Sequence, residues 1–205
     1  MIIRTLWRIL LVAAALTGVA LALVELRNPW VTFTVQSNTV LAAYYLWLLA
    51  ARREGGPSVR GAVTLYLVVT GVVAFFALPL PQSARNLLLH CVTPLMVLID
   101  WTAFAHTRRP GWTDPFKWLA FPLGYAVLVL LTAPDLPVRM ARRHLNLTEI
   151  SFIDYVLAAL GFSIVFLIAG YALIALTHIS TSIGKGAQKG RHHHAGKDDR
   201  IPRGP

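Results

Sequence analysis

Long apolar runs alternate with short polar breaks along the whole chain. A membrane helix takes about 20 apolar residues, and the runs recur at near that length. They predict six helices, over about residues 5–26, 32–51, 59–78, 86–105, 116–131 and 149–178. The breaks carry turn chemistry: Arg52-Arg53-Glu54-Gly55-Gly56-Pro57, Pro79-Leu80-Pro81 and Arg108-Arg109-Pro110-Gly111. Pro122 predicts a kink in the fifth helix. Asn146 and Glu149 have capping-box spacing ahead of the last helix. The first run follows Arg4 and Arg8, and Ala20-Leu21-Ala22 has the outline of a signal-peptide cleavage site. Its length favours a first membrane helix that is kept. Residues 180–205 are rich in Gly, Lys and His and read as a disordered basic tail, leaving residues 1–179 as one transmembrane domain.

The second run departs from this apolar pattern. Its first turns hold Thr34, Gln36, Ser37 and Asn38, polar groups that are costly at membrane depth unless they meet partners or line a cavity.

Composition narrows the class. The chain is 56% hydrophobic and only 14% charged, which makes it an all-α integral membrane protein, a six-transmembrane helix bundle. A net charge of +10 would suggest nucleic acid in a soluble protein. Here the basic residues sit in short loops and a tail, where they set topology and meet anionic lipid headgroups. The alternate segments on the N-terminal side hold 14 Lys and Arg, and the opposite side holds 5. The positive-inside rule then places both termini in the cytoplasm. The single cysteine, Cys91, reads as a buried, inert thiol.

Orientation brings polar groups to one depth. Thr34 and Asn38 on the second helix, His90 on the fourth, and Asp154 and Tyr155 on the sixth all fall within roughly 5–12 Å of the outer boundary. A hydroxyl, an amide, an imidazole and a carboxylate can form a nucleophile with its base and orienting group. They can equally form a hydrogen-bonded cluster that holds helices together, and spacing alone favours that structural reading. Asp100 lies some 15 Å deeper than His90. Its expected partner is an arginine near the inner surface or a polar group on a neighbouring helix; a proton relay is the alternative.

Other chemistry has less behind it. His90 and His144 lie toward the outer side, and His106 and His178 toward the inner, an arrangement that would suit paired haem ligation. The run His192 to His194 sits in the tail, and Asn146-Leu147-Thr148 is a formal glycosylation sequon. Asp100 is the one deep acid, which is thin for an ion-coupled carrier. No Gly-rich phosphate loop and no Cys-rich metal site occurs, so neither a metal nor a cofactor is expected.

Four motifs carry a family likeness. Phe33-Thr34-Val35-Gln36-Ser37-Asn38 resembles the FT-(I/V)-QSN signature of a family of predicted six-transmembrane bacterial proteins. His90 to Trp101 resembles that family's H-x-x-x-P-L-x-x-L-x-D-W, Trp118 to Tyr125 its W-L-x-x-P-x-x-Y, and Phe152-Ile153-Asp154 its F-L-D. The family in turn resembles the androgen-induced membrane hydrolases, which cleave fatty acid esters of hydroxy fatty acids with a threonine and a histidine. The resemblance implies a bacterial inner-membrane protein acting on a lipid ester, with Thr34 as nucleophile and His90 as base. Thr32 is an alternative nucleophile, because Val31-Thr32-Phe33 also resembles the hydrolases' Leu-Thr-Phe. The acid after the histidine is Glu in those relatives and Asp100 here. Asn38 and Asp154, with Gln36 and Ser37 beside them, are the expected supporting groups. The rival reading is a non-catalytic bundle that binds lipid or a small molecule.

Overall fold

Apolar length decides the architecture. The computed structural model describes residues 2–77, 83–104, 109–133, 135–136, 138–139 and 149–198, with side chains in the last helix described as far as His178. Six long helices account for nearly all of this: α1 (Ile2–Glu25), α2 (Phe33–Ala51), α3 (Pro57–Ala77), α4 (Ala84–Ala103), α5 (Asp114–Thr132) and α6 (Phe152–Asp198). The described residues contain no strand. His106, His144, Asn146 and Pro79 to Pro81 lie outside the described residues.

Five of the six helices are long and apolar enough to cross a membrane, the pattern of a multi-pass membrane protein. The exception is α2. It has 19 residues, and Thr34, Gln36, Ser37 and Asn38 in its opening turns lower its hydropathy.

The bundle forms around α3. This helix packs on α2, α4 and α6, while α1 lies along α2. Leu65, Leu67 and Val63 of α3 join Leu41, Tyr45 and Leu48 of α2, Leu11 and Ala15 of α1, and Trp101 of α4 in one continuous core. Helix α6 exposes Phe152, Ile153, Leu157, Leu160 and Ile168, an apolar face suited to lipid.

Ion pairs mark the two ends. Arg4 of α1 bonds Glu54 in the α2–α3 turn. At the other end Arg85 of α4 pairs with Glu25 of α1 at 3.2 Å. Helices α1 and α4 are therefore antiparallel, as short connections require.

Two boundaries differ from expectation. Helix α6 starts at Phe152, not at Glu149, because Ser151 and Asp154 form the cap: Asp154 N–H donates to Ser151 Oγ at 3.2 Å, and Ser151 N–H donates to Asp154 Oδ2 at 3.0 Å. That is a reciprocal capping box. The helix also continues through Asp198, into the stretch read as a disordered tail; no proline interrupts residues 152–198.

Candidate functional site

The site begins with a proline. Pro94 has no N–H, and its ring crowds the carbonyl four residues earlier, that of His90. Helix α4 answers by widening over Leu88–Val92 into a π turn, in which Thr93 N–H reaches back five residues to the Leu88 carbonyl. Such wide turns are frequent at functional sites. In that register the Leu89 carbonyl has no backbone donor, since the residue five on is Pro94 itself. Asn38 of α2 supplies one: its Nδ2 donates to Leu89 O at 3.4 Å and to Thr34 O at 2.9 Å. Its Oδ1 accepts from the Thr93 hydroxyl at 2.6 Å.

Small residues let the neighbours close on this turn. A methyl at Gly18 of α1 would lie 2.6 Å from a Leu89 side-chain carbon. One at Gly71 of α3 would lie 2.9 Å from Pro94 Cβ and 3.2 Å from the His90 carbonyl oxygen. Three helices thus grip the π turn, through Gly18, Asn38 and Gly71.

Thr34 sits one turn above Asn38, half-buried, its carbonyl held by Asn38 and by Ser37 Oγ at 3.1 Å. Threonines inside these helices usually donate to the carbonyl four residues back, as Thr39, Thr70, Thr102 and Thr132 do. For Thr34 that acceptor would be Trp30 O, which Gln36 Nε2 occupies at 2.6 Å. The Thr34 hydroxyl has no hydrogen bond among the described residues. Thr32 is committed: its hydroxyl donates to Pro29 O at 2.7 Å.

His90 follows Leu89 in the π turn, partly buried, and its Nδ1 is enclosed without a partner among the described residues. No hydrogen bond joins it to Thr34. Asn38 links the backbone of Thr34 to that of Leu89, the residue before His90. Asn38 cannot serve as orienter of His90 or as oxyanion donor in this arrangement, because both ends of its amide are engaged. Asp154 does not reach His90. It is exposed and bound to its own Ser151, so its place in the F-L-D motif is that of a helix cap. Cys91 is also corrected: it is exposed on the outer face of α4.

Sequence reasoning passed over Thr93, although a Thr-Pro step inside a helix signals a disturbed ladder. It also passed over Tyr66. Pro122 leaves the Trp118 carbonyl without its α-helical donor, and the Tyr66 hydroxyl of α3 fills it at 2.9 Å. Tyr66 belongs to an aromatic cluster with Phe33, Phe121 and Phe166, and Tyr125 adds its ring to Phe33. The Tyr125 hydroxyl donates to Val31 O at 3.0 Å, which anchors the start of α2 to α5.

A second polar centre lies at the Arg4–Glu54 end. Asp100 is wholly buried. It accepts from Arg60 Nη2 at 2.6 Å and Nε at 3.0 Å, from Tyr45 Oη at 2.7 Å, and from Arg8 Nε at 3.4 Å. Arg60 also donates to the Asp100 and Phe104 carbonyls, closing the end of α4. The arginine partner expected for Asp100 is thus present. Arg8 and Arg60, two of the basic residues on the N-terminal side, are both buried, one or two turns inside their helices. Tyr45 gave no sign in the sequence beyond its place in an apolar run.

No protein-family model matches this chain, and no curated protein or solved structure does either. The described residues hold no cluster of three His, Cys, Asp or Glu side chains that could bind a metal.

Proposed function

We propose that this protein is a lipid-ester hydrolase of the bacterial inner membrane, with six membrane spans, both termini in the cytoplasm, Thr34 as nucleophile and His90 as base. One observation supports the reading: Asn38 ties the backbone of Thr34, whose hydroxyl has no partner among the described residues, to that of Leu89, the residue before His90, whose Nδ1 is enclosed without a partner. The likeness of their surrounding motifs to those of the six-transmembrane bacterial family, which in turn resembles the androgen-induced hydrolases, agrees with it. A commitment of Thr32 to Pro29 favours Thr34 over Thr32. Helix α2 crosses as the sixth span because Asn38, Ser37 and Gln36 meet carbonyl partners, which lowers the cost of their depth.

The chemistry runs as acyl transfer. His90 takes the Thr34 proton as Thr34 Oγ1 bonds to the ester carbon. The ester C–O bond breaks, the alkoxide takes that proton, and an alcohol leaves. Water, deprotonated by His90, then releases the carboxylic acid and restores Thr34. Nucleophile–base hydrogen bonds often tighten only when substrate is bound, and here Thr34 must turn toward His90. The substrate is an acyl ester entering sideways from the outer leaflet, its carbonyl at the depth of α2's first turns. Asn38 and Thr93 act as positioning residues that fix the π turn against α2.

A long-chain fluorogenic ester, offered to purified protein in detergent, tests this. Turnover is expected in the wild type and lost in Thr34→Ala and His90→Ala variants that keep their helical signal. Equal turnover in wild type and both variants contradicts it. The second reading, a non-catalytic lipid-binding bundle, is favoured by the completeness of Asn38's hydrogen bonding; it expects no turnover and bound lipid in the purified protein.

A further inference from the structure

We infer that the buried arginine pair at the cytoplasmic end of the proposed topology is a binding site for a monoanion, held chiefly by Arg8. This stands independently of the hydrolase reading. The charges around Asp100 do not balance: two guanidiniums, Arg8 and Arg60, share one carboxylate. Arg60 is the true partner, with two close bonds to the carboxylate and two more to carbonyls. Arg8 is the surplus cation. Its side chain is 5% exposed, its one bond to Asp100 is long at 3.4 Å, and its Nη2 is buried with no acceptor. The face of Tyr45, 5.6 Å from the guanidinium carbon, offers only a partial offset.

The remaining charged neighbours do not supply the missing anion. Glu54 is taken by Arg4, one turn above Arg8 on α1. Tyr45 donates its proton to Asp100. At the same end the Tyr44 hydroxyl is buried without a partner, a second donor and no negative charge. An uncompensated buried guanidinium is costly, and a monoanion accepting from Nη2 would remove that cost. A dianion would overshoot the single surplus charge. The shared ligand chemistry is a singly charged acceptor: a dissolved halide, or the phosphodiester of a phospholipid headgroup.

Thermal unfolding in an uncharged detergent tests the site. Chloride replaces gluconate at constant ionic strength, and separately phosphatidylglycerol replaces an uncharged lipid in chloride-free buffer. The wild-type midpoint is expected to rise by about 5 °C or more when the anion is a hundredfold above its dissociation constant. A rise with chloride identifies a halide; a rise with phosphatidylglycerol alone identifies the headgroup. Arg8→Gln removes the surplus charge and is expected to lose the rise. If Arg8→Gln does not fold, chloride-35 line broadening by the wild type, reversed by bromide, takes its place for the halide arm, and phosphorus-31 broadening of the lipid for the other. No rise in wild type from either anion overturns the inference, as does an equal rise in Arg8→Gln or, where that variant does not fold, the lack of line broadening.

Discussion

The side-chain amide of Asn38 donates to the carbonyl of Leu89, across from one helix to another, at 3.4 Å. The π turn before Pro94 diverts the Thr93 N–H to Leu88, and the Asn38 amide answers the Leu89 carbonyl that is left. A sequence feature of α4 is thereby answered by a polar residue of α2. Thr34, whose carbonyl the same amide holds, and His90, the residue after Leu89, are the proposed catalytic pair.

If Asn38 answers Pro94, their effects must couple. Asn38→Ala is expected to destabilise the protein by about 1–3 kcal/mol, because the Leu89 carbonyl and the Thr93 hydroxyl lose their buried amide partner. In a Pro94→Ala background α4 regains a backbone N–H, and the penalty of Asn38→Ala is expected to shrink. A double-mutant cycle by thermal unfolding in detergent checks this, with a coupling of roughly 0.5–3 kcal/mol expected. Additive effects would separate the two residues.

Close approach at Gly71 gives a steric prediction. Gly71→Ala places a methyl 2.9 Å from Pro94 and 3.2 Å from the His90 carbonyl, so it is expected to cost about 1–3 kcal/mol. Gly124→Ala is the control, since no atom lies within 4 Å of the added carbon. It is expected to leave stability unchanged or slightly raised. Unfolding midpoints of the two variants decide the matter.

The network at Asp100 predicts an order of severity. Asp100→Asn leaves two buried cations without a carboxylate and is expected to cost about 3–5 kcal/mol. Arg60→Gln, which strands Asp100 with a distant Arg8, follows. Arg8→Gln is the mildest, since it removes the poorly paired cation. Midpoints measured in chloride-free buffer should fall in that order; Arg8→Gln as the worst of the three would contradict the pairing described here.

Topology has its own test. Single cysteines at Gly56 and at Ser83 are expected to label with a membrane-impermeant maleimide from opposite sides, Ser83 in intact cells and Gly56 only in broken ones. Cys91 faces outward from the middle of a membrane helix and is expected to stay unlabelled, so it need not be replaced.

How far this was legible from sequence follows the physics of each part. The helices were, because a bilayer demands long apolar runs and the polar breaks stand out against them. Asn38 was visible as an anomaly, yet its partner was not: the vacant carbonyl belongs to a backbone disturbed by Pro94, and hydropathy does not register vacant carbonyls. The burial of Arg8 and Arg60 was not legible, because an arginine one or two turns inside a helix end looks like any topological charge. Only the fold brings both to Asp100. Asp154 was misread in the other direction, since Ser151-x-x-Asp154 is a capping box whose signal is local and was outweighed by a motif likeness.

The central claim is an activated threonine, and the most direct measurement of it is covalent. Purified protein is treated with a fluorophosphonate probe directed at serine and threonine nucleophiles, and mass spectrometry locates the adduct. The expected result is one adduct on Thr34, absent from folded Thr34→Ala and His90→Ala and retained in Thr32→Ala. Folded wild-type protein that takes no label, or that is labelled at a residue other than Thr34, contradicts the claim.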